Sequence, residues 1–201
     1  MDKTLLIATR NRHKLREFQA MLAASRVKLI TLDDAPPIDE VDEDGLTFAD
    51  NARKKAYLTA ISAGYTCLAD DSGLVVPSLR GRPGVYSARF AGPQATDAEN
   101  NQKLLNMLKG SKGKERYGEF ICAIAICDPQ GNVHLAEGIC PGIIAPDPAG
   151  EKGFGYDPLF IPCGYDRTFA QLTDEEKNQI SHRSKALRQA FDILKKLNII
   201  D

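Results

Sequence analysis

A chain of 201 residues with 43% hydrophobic and 26% charged side chains has material for one good core, or for one domain of two lobes. A net charge of −1 supplies no global field for nucleic acid or a membrane surface. No window is apolar for long enough to span a bilayer. The opening Met1-Asp2-Lys3-Thr4-Leu5 lacks the basic and apolar regions of a signal peptide, so a cytoplasmic location is expected.

Leu5 to Ala8 reads as a short buried strand, and Leu15, Phe18 and Leu22 recur at helical spacing after it. Val27 to Leu32 reads as a second strand. Residues 33–45 hold seven acids and two prolines and read as a loop. Thr47 with Asp50 opens a helix that Gly64 should stop. The apolar run Cys67-Leu68-Ala69 then ends in Asp70-Asp71-Ser72-Gly73, before a second run, Leu74-Val75-Val76. Two readings of these four residues are open: a turn, or a metal or general-base site at a strand end.

Gly81 to Pro93 is rich in Gly and Pro and should be irregular. Thr96 and Glu99 form a capping box for a helix carrying Leu104, Leu105 and Leu108 and stopping at Gly110. Phe120 to Cys127 reads as a long strand. Asp128-Pro129-Gln130-Gly131 suits a type I turn, and Val133 to Cys140 should return beside the strand. Pro141 to Pro158 reads as a loop and Leu159 to Ile161 as a short strand. Thr173 and Glu176 cap a helical turn, and Leu187, Ala190, Phe191 and Leu194 mark a last helix. Strand–helix units with one hairpin define an α/β fold on a mixed central sheet. There is no internal repeat, so residues 1–201 are expected to form a single domain.

The five cysteines are odd in number and hold no C-x-x-C pair, so buried reduced thiols are expected. Three histidines without paired spacing make zinc improbable and leave a hard cation on carboxylates as the metal type to expect.

Four segments carry candidate chemistry. Thr9, Arg10, Asn11, Arg12, His13 and Lys14 lie where a strand runs into a helix start, a place suited to phosphate; a solvated basic face is the bland reading. Glu43 and Asp71 are acids that could share Mg²⁺, which takes its other ligands from water and substrate phosphates. The bland reading of residues 39–44 is a solvated acidic loop. In Gly153-Phe154-Gly155-Tyr156-Asp157-Pro158 an aromatic ring sits between two glycines, placed to stack on a base or to fill a core. Lys177, His182 and Arg183 fall near the last helix start, as donors or as a charged solvent-facing turn. Cations for phosphates, carboxylates for magnesium and a ring for a base together describe a nucleoside triphosphate as ligand.

At this point the chain resembles the inosine triphosphate pyrophosphatase family, most closely its bacterial dITP/XTP branch. The match runs from about Leu5 to Leu197. It rests on six motifs in order: Thr9, Asn11 and Lys14; Gly45 to Ala52; Ala69 to Leu74; Gly81 to Arg89; Gly153 to Pro158; and Ser181 to Arg183. Asp50 stands where the family commonly has Glu, and Arg10 where a small residue is common. The resemblance implies an elongated two-lobed α/β fold with the site in a cleft, and a homodimer. It implies Mg²⁺-dependent hydrolysis of ITP, dITP or XTP to the monophosphate and pyrophosphate.

By the same resemblance Asp71 is the metal-linked carboxylate and general base, with Glu43 as the second metal ligand. Ser72 contacts substrate, and Lys14, Lys55 and the basic N-terminal loop stabilise the departing pyrophosphate. Phe154, Gly155, Tyr156 and Asp157, with Lys177, His182 and Arg183, take the base. Donors from the last three would pair with the 6-oxygen of hypoxanthine or xanthine and leave an adenine amine unpaired. A haloacid-dehalogenase-type phosphatase would need D-x-D after its strand, which Asp70-Asp71-Ser72 does not provide. A non-catalytic nucleotide sensor would need the phosphate grip without the acids.

Overall fold

The computed structural model describes residues 3–22 and 25–200, without the side chains of Arg12, His13, Ala20 and Met21. Two of the candidates named above, Arg12 and His13, are therefore outside the described side chains. Six strands are hydrogen-bonded in the order β2-β1-β3-β4-β5-β6, comprising Thr4–Ile7, Lys28–Thr31, Thr66–Val75, Tyr117–Cys127, Val133–Ile144 and Phe160–Pro162 as β1 to β6. The sheet is mixed: β1 runs parallel to β2 and β3, and β5 antiparallel to β6. Among the described residues five α-helices accompany it: α1 (Arg12–Leu22), α2 (Phe48–Ala63), α3 (Asp97–Met107), α4 (Asp174–Ile180) and α5 (His182–Lys196). No helix among the described residues is long and apolar enough to cross a membrane.

Contacts divide the chain into two compact units, the first built from residues 1–71, 122–137 and 185–201 and the second from 72–121 and 138–184. The first unit holds β1, β2, α1 and α2. Its Leu5-Leu6-Ile7 run is buried on both sides, as a strand with parallel neighbours requires. Leu5, Ile7, Phe18, Leu22, Leu68, Ile124, Leu187 and Leu194 share its core. In α2, Thr47 and Asp50 close a reciprocal capping box and Gly64 ends the helix at φ +72°. Asp50 therefore works as the N3 partner of the cap.

The second unit holds α3, α4 and β6 around Leu74, Leu104, Phe120, Phe160 and Phe169. The rings of Phe120 and Phe160 meet edge-on at 4.6 Å, a geometry worth ~0.5–1.5 kcal/mol beyond area burial. Capping boxes at Thr96–Glu99 and Thr173–Glu176 start α3 and α4 as expected. All five cysteines are reduced thiols, four of them buried and Cys163 exposed.

Two expectations are corrected here. Asp70-Asp71-Ser72-Gly73 is neither a turn nor a strand end, because β3 runs unbroken from Thr66 to Val75. Gly73 serves close approach instead of turning: a Cβ there would collide with Ser87 Oγ and lie 2.9 Å from the Gly84 carbonyl oxygen. What does end is the pairing with β1, whose last partners are Ile7 and Leu68. The two carboxylates thus lie just past the carboxyl end of β1, on a strand that continues. The second correction concerns Pro141 to Ile144. These residues extend β5, since Gly142, Ile143 and Ile144 pair with β6.

Candidate active site

The first unit gathers the acids and lysines. Asn11 caps α1 with its Oδ1 accepting the Lys14 N–H at 3.2 Å, while its own N–H donates to Thr9 Oγ1 at 3.2 Å. That cap sets the first turn of α1, from which Lys14 Nζ reaches Asp70 Oδ2 at 2.9 Å. Lys55, on α2, donates to Glu43 Oε1 and to the Asp70 carbonyl, each at 2.5 Å. Arg10 is exposed.

Asn51 organises this group, and the sequence motif alone does not show how. It is fully buried on α2. Its Oδ1 accepts the Gly45 N–H at 2.7 Å and its Nδ2 donates to Asp71 Oδ2 at 2.8 Å. One side chain thereby fixes the chain just after Glu43 and the orientation of Asp71. Gly45 has to be glycine here, since a Cβ would lie 2.6 Å from Asn51 Oδ1.

Charge in the group is tuned by burial. Desolvation pushes the Asp71 carboxyl above its ordinary range, and Lys55 and the Asn51 bond draw it partway back. Burial opposes the Lys55 ammonium too, but Asp70 and Glu43, then Asp71, outweigh it and hold the amine above its usual value. Buried acids with raised values next to fixed cations are a common signature of a general base.

The second unit gathers the ring and its donors. Gly153 and Gly155 hold φ of +77° and +61°, so the loop around Phe154 takes a path that L side chains resist. Asp157 Oδ2 accepts the Phe154 N–H at 2.9 Å and the Lys177 ammonium at 2.7 Å. Lys177 Nζ and Arg183 Cζ lie 5.2 and 5.6 Å from the centre of the Phe154 ring. Arg183 Nη2 donates to Ser72 Oγ at 3.1 Å.

Tyr156 and His182 are more deeply placed than free donors would be. The Tyr156 ring is core and its hydroxyl donates to the Ser87 carbonyl at 2.9 Å. The His182 ring is 5% exposed and stacks on Phe120 at 4.7 Å. Lys177 is ion-paired with Asp157, whose carboxyl burial pushes upward while Lys177 and the Phe154 N–H draw it down.

The structure brings Lys14, Glu43, Lys55, Asp70 and Asp71 together in one unit, and Ser72, Phe154, Asp157, Lys177 and Arg183 in the other. Among the described residues no three His, Cys, Asp or Glu side chains are grouped as a metal cluster. Mg²⁺ needs only one or two carboxylates when substrate phosphates complete its shell. The acid group already seats one cation, the Lys55 ammonium, so its chemistry fits a divalent ion on Glu43 and Asp71.

Comparison with known proteins gives this mixed α/β chain a family. The model of the Ham1 family matches residues 5–193, and the chain belongs to that family. It is 50% identical to a dITP/XTP pyrophosphatase of Desulforamulus reducens over 97% of both chains. It is 49% identical to one of Geobacter sulfurreducens, over 94% of this chain and 96% of that one. Among solved structures, a HAM1 protein from Coxiella burnetii superposes with a TM-score of 0.88 at 39% identity, covering 98% of this chain and 100% of that one. A nucleoside-triphosphatase/dITP/XTP pyrophosphatase from Mycobacterium abscessus gives 0.80 at 44% identity, covering 93% and 98%.

Proposed function

We propose that this Ham1-family chain hydrolyses non-standard purine nucleoside triphosphates (ITP, dITP and XTP) to the monophosphate and pyrophosphate. The observation that carries the reading is Asp71: a buried carboxylate of raised basicity, oriented by Asn51 and flanked by the Lys55 ammonium. The names of the relatives from Desulforamulus and Geobacter support the substrate class.

In this reading Asp71 takes a proton from the water that attacks the α-phosphorus, with Asn51 holding the carboxylate in line. Glu43 and Asp71 are the residues to hold Mg²⁺, which when bound would neutralise phosphate charge. Lys14 and Lys55 exchange their carboxylate partners for phosphate oxygens and stabilise the leaving pyrophosphate, with Thr9, Arg10, Asn11, Arg12 and His13 lining the same end. Phe154 stacks on the purine within the loop of Gly155, Tyr156 and Asp157. Lys177, His182 and Arg183 favour a 6-oxygen, and Ser72 contacts substrate. The four buried thiols suit a reducing, cytoplasmic compartment. The working form is taken to be a homodimer, with residues 1–201 acting as one catalytic domain.

With ITP and Mg²⁺ the expected products are IMP and pyrophosphate, and EDTA should abolish turnover. Orthophosphate and IDP as first products would overturn the reading. The base group has its own test. Phe154→Ala should weaken every purine triphosphate by ~1–3 kcal/mol, because every base has a π-face. Arg183→Ala should instead lower kcat/KM for ITP and XTP and leave the poor ATP rate nearly unchanged. An equal loss on ITP, XTP, GTP and ATP would show that Arg183 holds phosphate or structure.

A further inference from the structure

The Phe154 loop is held from a helix that carries none of the six family motifs. Asp97 Oδ2 accepts the Gly155 N–H at 2.6 Å, and Asn101 Nδ2 donates to the Gly155 carbonyl at 2.9 Å. Asp97 and Asn101 are one helical turn apart on α3, so both reach the same residue, Gly155. Their placement is local chemistry: the Thr96–Glu99 capping box starts α3 at Asp97. α3 is itself fixed in the same unit. Asn100 accepts the Ala91 N–H at 2.7 Å and donates to the Ala88 carbonyl at 3.1 Å, and Lys103 donates to the Phe90 carbonyl at 2.6 Å.

Gly155 therefore has both main-chain polar groups bound by side chains of a single helix. The neighbouring Phe154 N–H is bound by Asp157. A single residue flanked by left-handed glycines has little intrinsic preference for one path, so these bonds help to decide where the ring stands. From this the geometry points to Asp97 and Asn101 as positioning residues for the base platform. They bind the N–H and the carbonyl of Gly155, one on each side of its Cα, and so set the purine-stacking position of Phe154. The inference rests on the reading of Phe154 as that platform.

The test uses the full chain and two readouts: steady-state kinetics with ITP, and binding of IMP by calorimetry. Asp97→Ala should raise KM for ITP and Kd for IMP about tenfold, the scale of losing a bond to a charged acceptor. The kcat should stay within about threefold, because stacking contributes alike to ground and transition states. Asp97→Asn keeps an acceptor for the Gly155 N–H and should restore most of the affinity. Asn101→Ala should follow Asp97→Ala. In a Phe154→Ala background Asp97→Ala should cost nothing more, since no ring remains to place.

Additive losses in that double variant would overturn the inference, as would an Asp97→Ala enzyme with unchanged IMP affinity. If Phe154→Ala weakens IMP while both α3 variants bind it normally, the clamp idea fails and the platform stands. If Phe154→Ala itself leaves IMP binding unchanged, the platform reading fails, and the clamp with it.

Discussion

Asp71→Asn is expected to lower turnover of ITP by at least ~10²-fold, the scale of removing a general base, with the fold intact. The substitution is close to isosteric. The amide oxygen it introduces can still accept from Asn51 Nδ2, so the bond that orients residue 71 survives. What is lost is the capacity to take a proton and the negative charge a metal would use. Burial already opposes ionisation of Asp71, so removing the charge should not unfold the protein. The metal-free variant should melt within about 4 °C of the wild type, the shift of roughly 1 kcal/mol in a chain of this size. The assay is pyrophosphate release at saturating ITP and Mg²⁺, with calorimetric melting beside it. Near-normal release would remove Asp71 from the reaction. A large drop in melting temperature would make the activity loss uninformative, and Asn51→Asp, which leaves Asp71 in place but turns its donor into a like charge, would then be the informative variant.

What the sequence showed and what it hid divide along the range of the interactions concerned. The Thr-led capping boxes of α2, α3 and α4 were legible because both partners lie within four residues. The hydrophobic runs of β1, β4 and α5 were legible for the same reason. The course of β3 was not, because Asp70-Asp71-Ser72-Gly73 has the composition of a turn. The residues that keep it extended are distant: Ser87 Oγ accepts the Leu74 N–H at 2.9 Å and approaches Gly73 too closely for any side chain. Tertiary contact overrode local propensity there. The strand extension at Pro141 to Ile144 depended in the same way on pairing with β6.

The candidate residues were visible through motif and resemblance, but their partners were not. Lys14 and Lys55 read as phosphate grips, yet in the chain alone each is matched to acid groups, Asp70 for one and Glu43 for the other. Buried charges in one group have to satisfy one another in this way, since an isolated buried ion is costly. Asn51 shows in the sequence only as part of a motif, without a role, because its two bonds run to residues 6 and 20 positions away. Asp97 and Asn101 were invisible for a stronger reason. Their bonds to Gly155 span 58 and 54 residues, and nothing in an ordinary capped helix announces them.

The second large effect is expected at Lys177. Its ammonium lies 2.7 Å from Asp157 Oδ2, with the two side chains 12% and 4% exposed. Truncating one member of a buried pair leaves the other charge stranded, at a cost of ~3–5 kcal/mol. Lys177→Met keeps the length and apolar bulk of the side chain and removes the charge, so packing should be largely retained. Asp157 then has an escape, because it can take up a proton. Burial already raises its folded-state value above the unfolded one, and Lys177 opposes that rise. Without Lys177 the folded value climbs further. Between the unfolded value, about 3.9, and that raised value, the folded state holds a proton that the unfolded state has released. Stability of the variant must therefore fall as pH rises through this window and stay low above it. The wild type, with its pair intact, should show less of this slope. The measurement is melting temperature of both proteins at pH 5 and pH 8. The deficit of Lys177→Met should be ~6–20 °C at pH 8, from the cost above in a chain of this size, and clearly smaller at pH 5. Adding Asp157→Asn to the variant should flatten the difference between the two pH values, because no group is left there to titrate. The amide oxygen that replaces the carboxylate can still accept the Phe154 N–H, so the loop keeps its bond. Equal deficits at both pH values would mean that Lys177 stabilises through packing against Phe154 and Phe169, where its ammonium sits 5.2 and 5.6 Å from the ring centres, and not through its charge on Asp157.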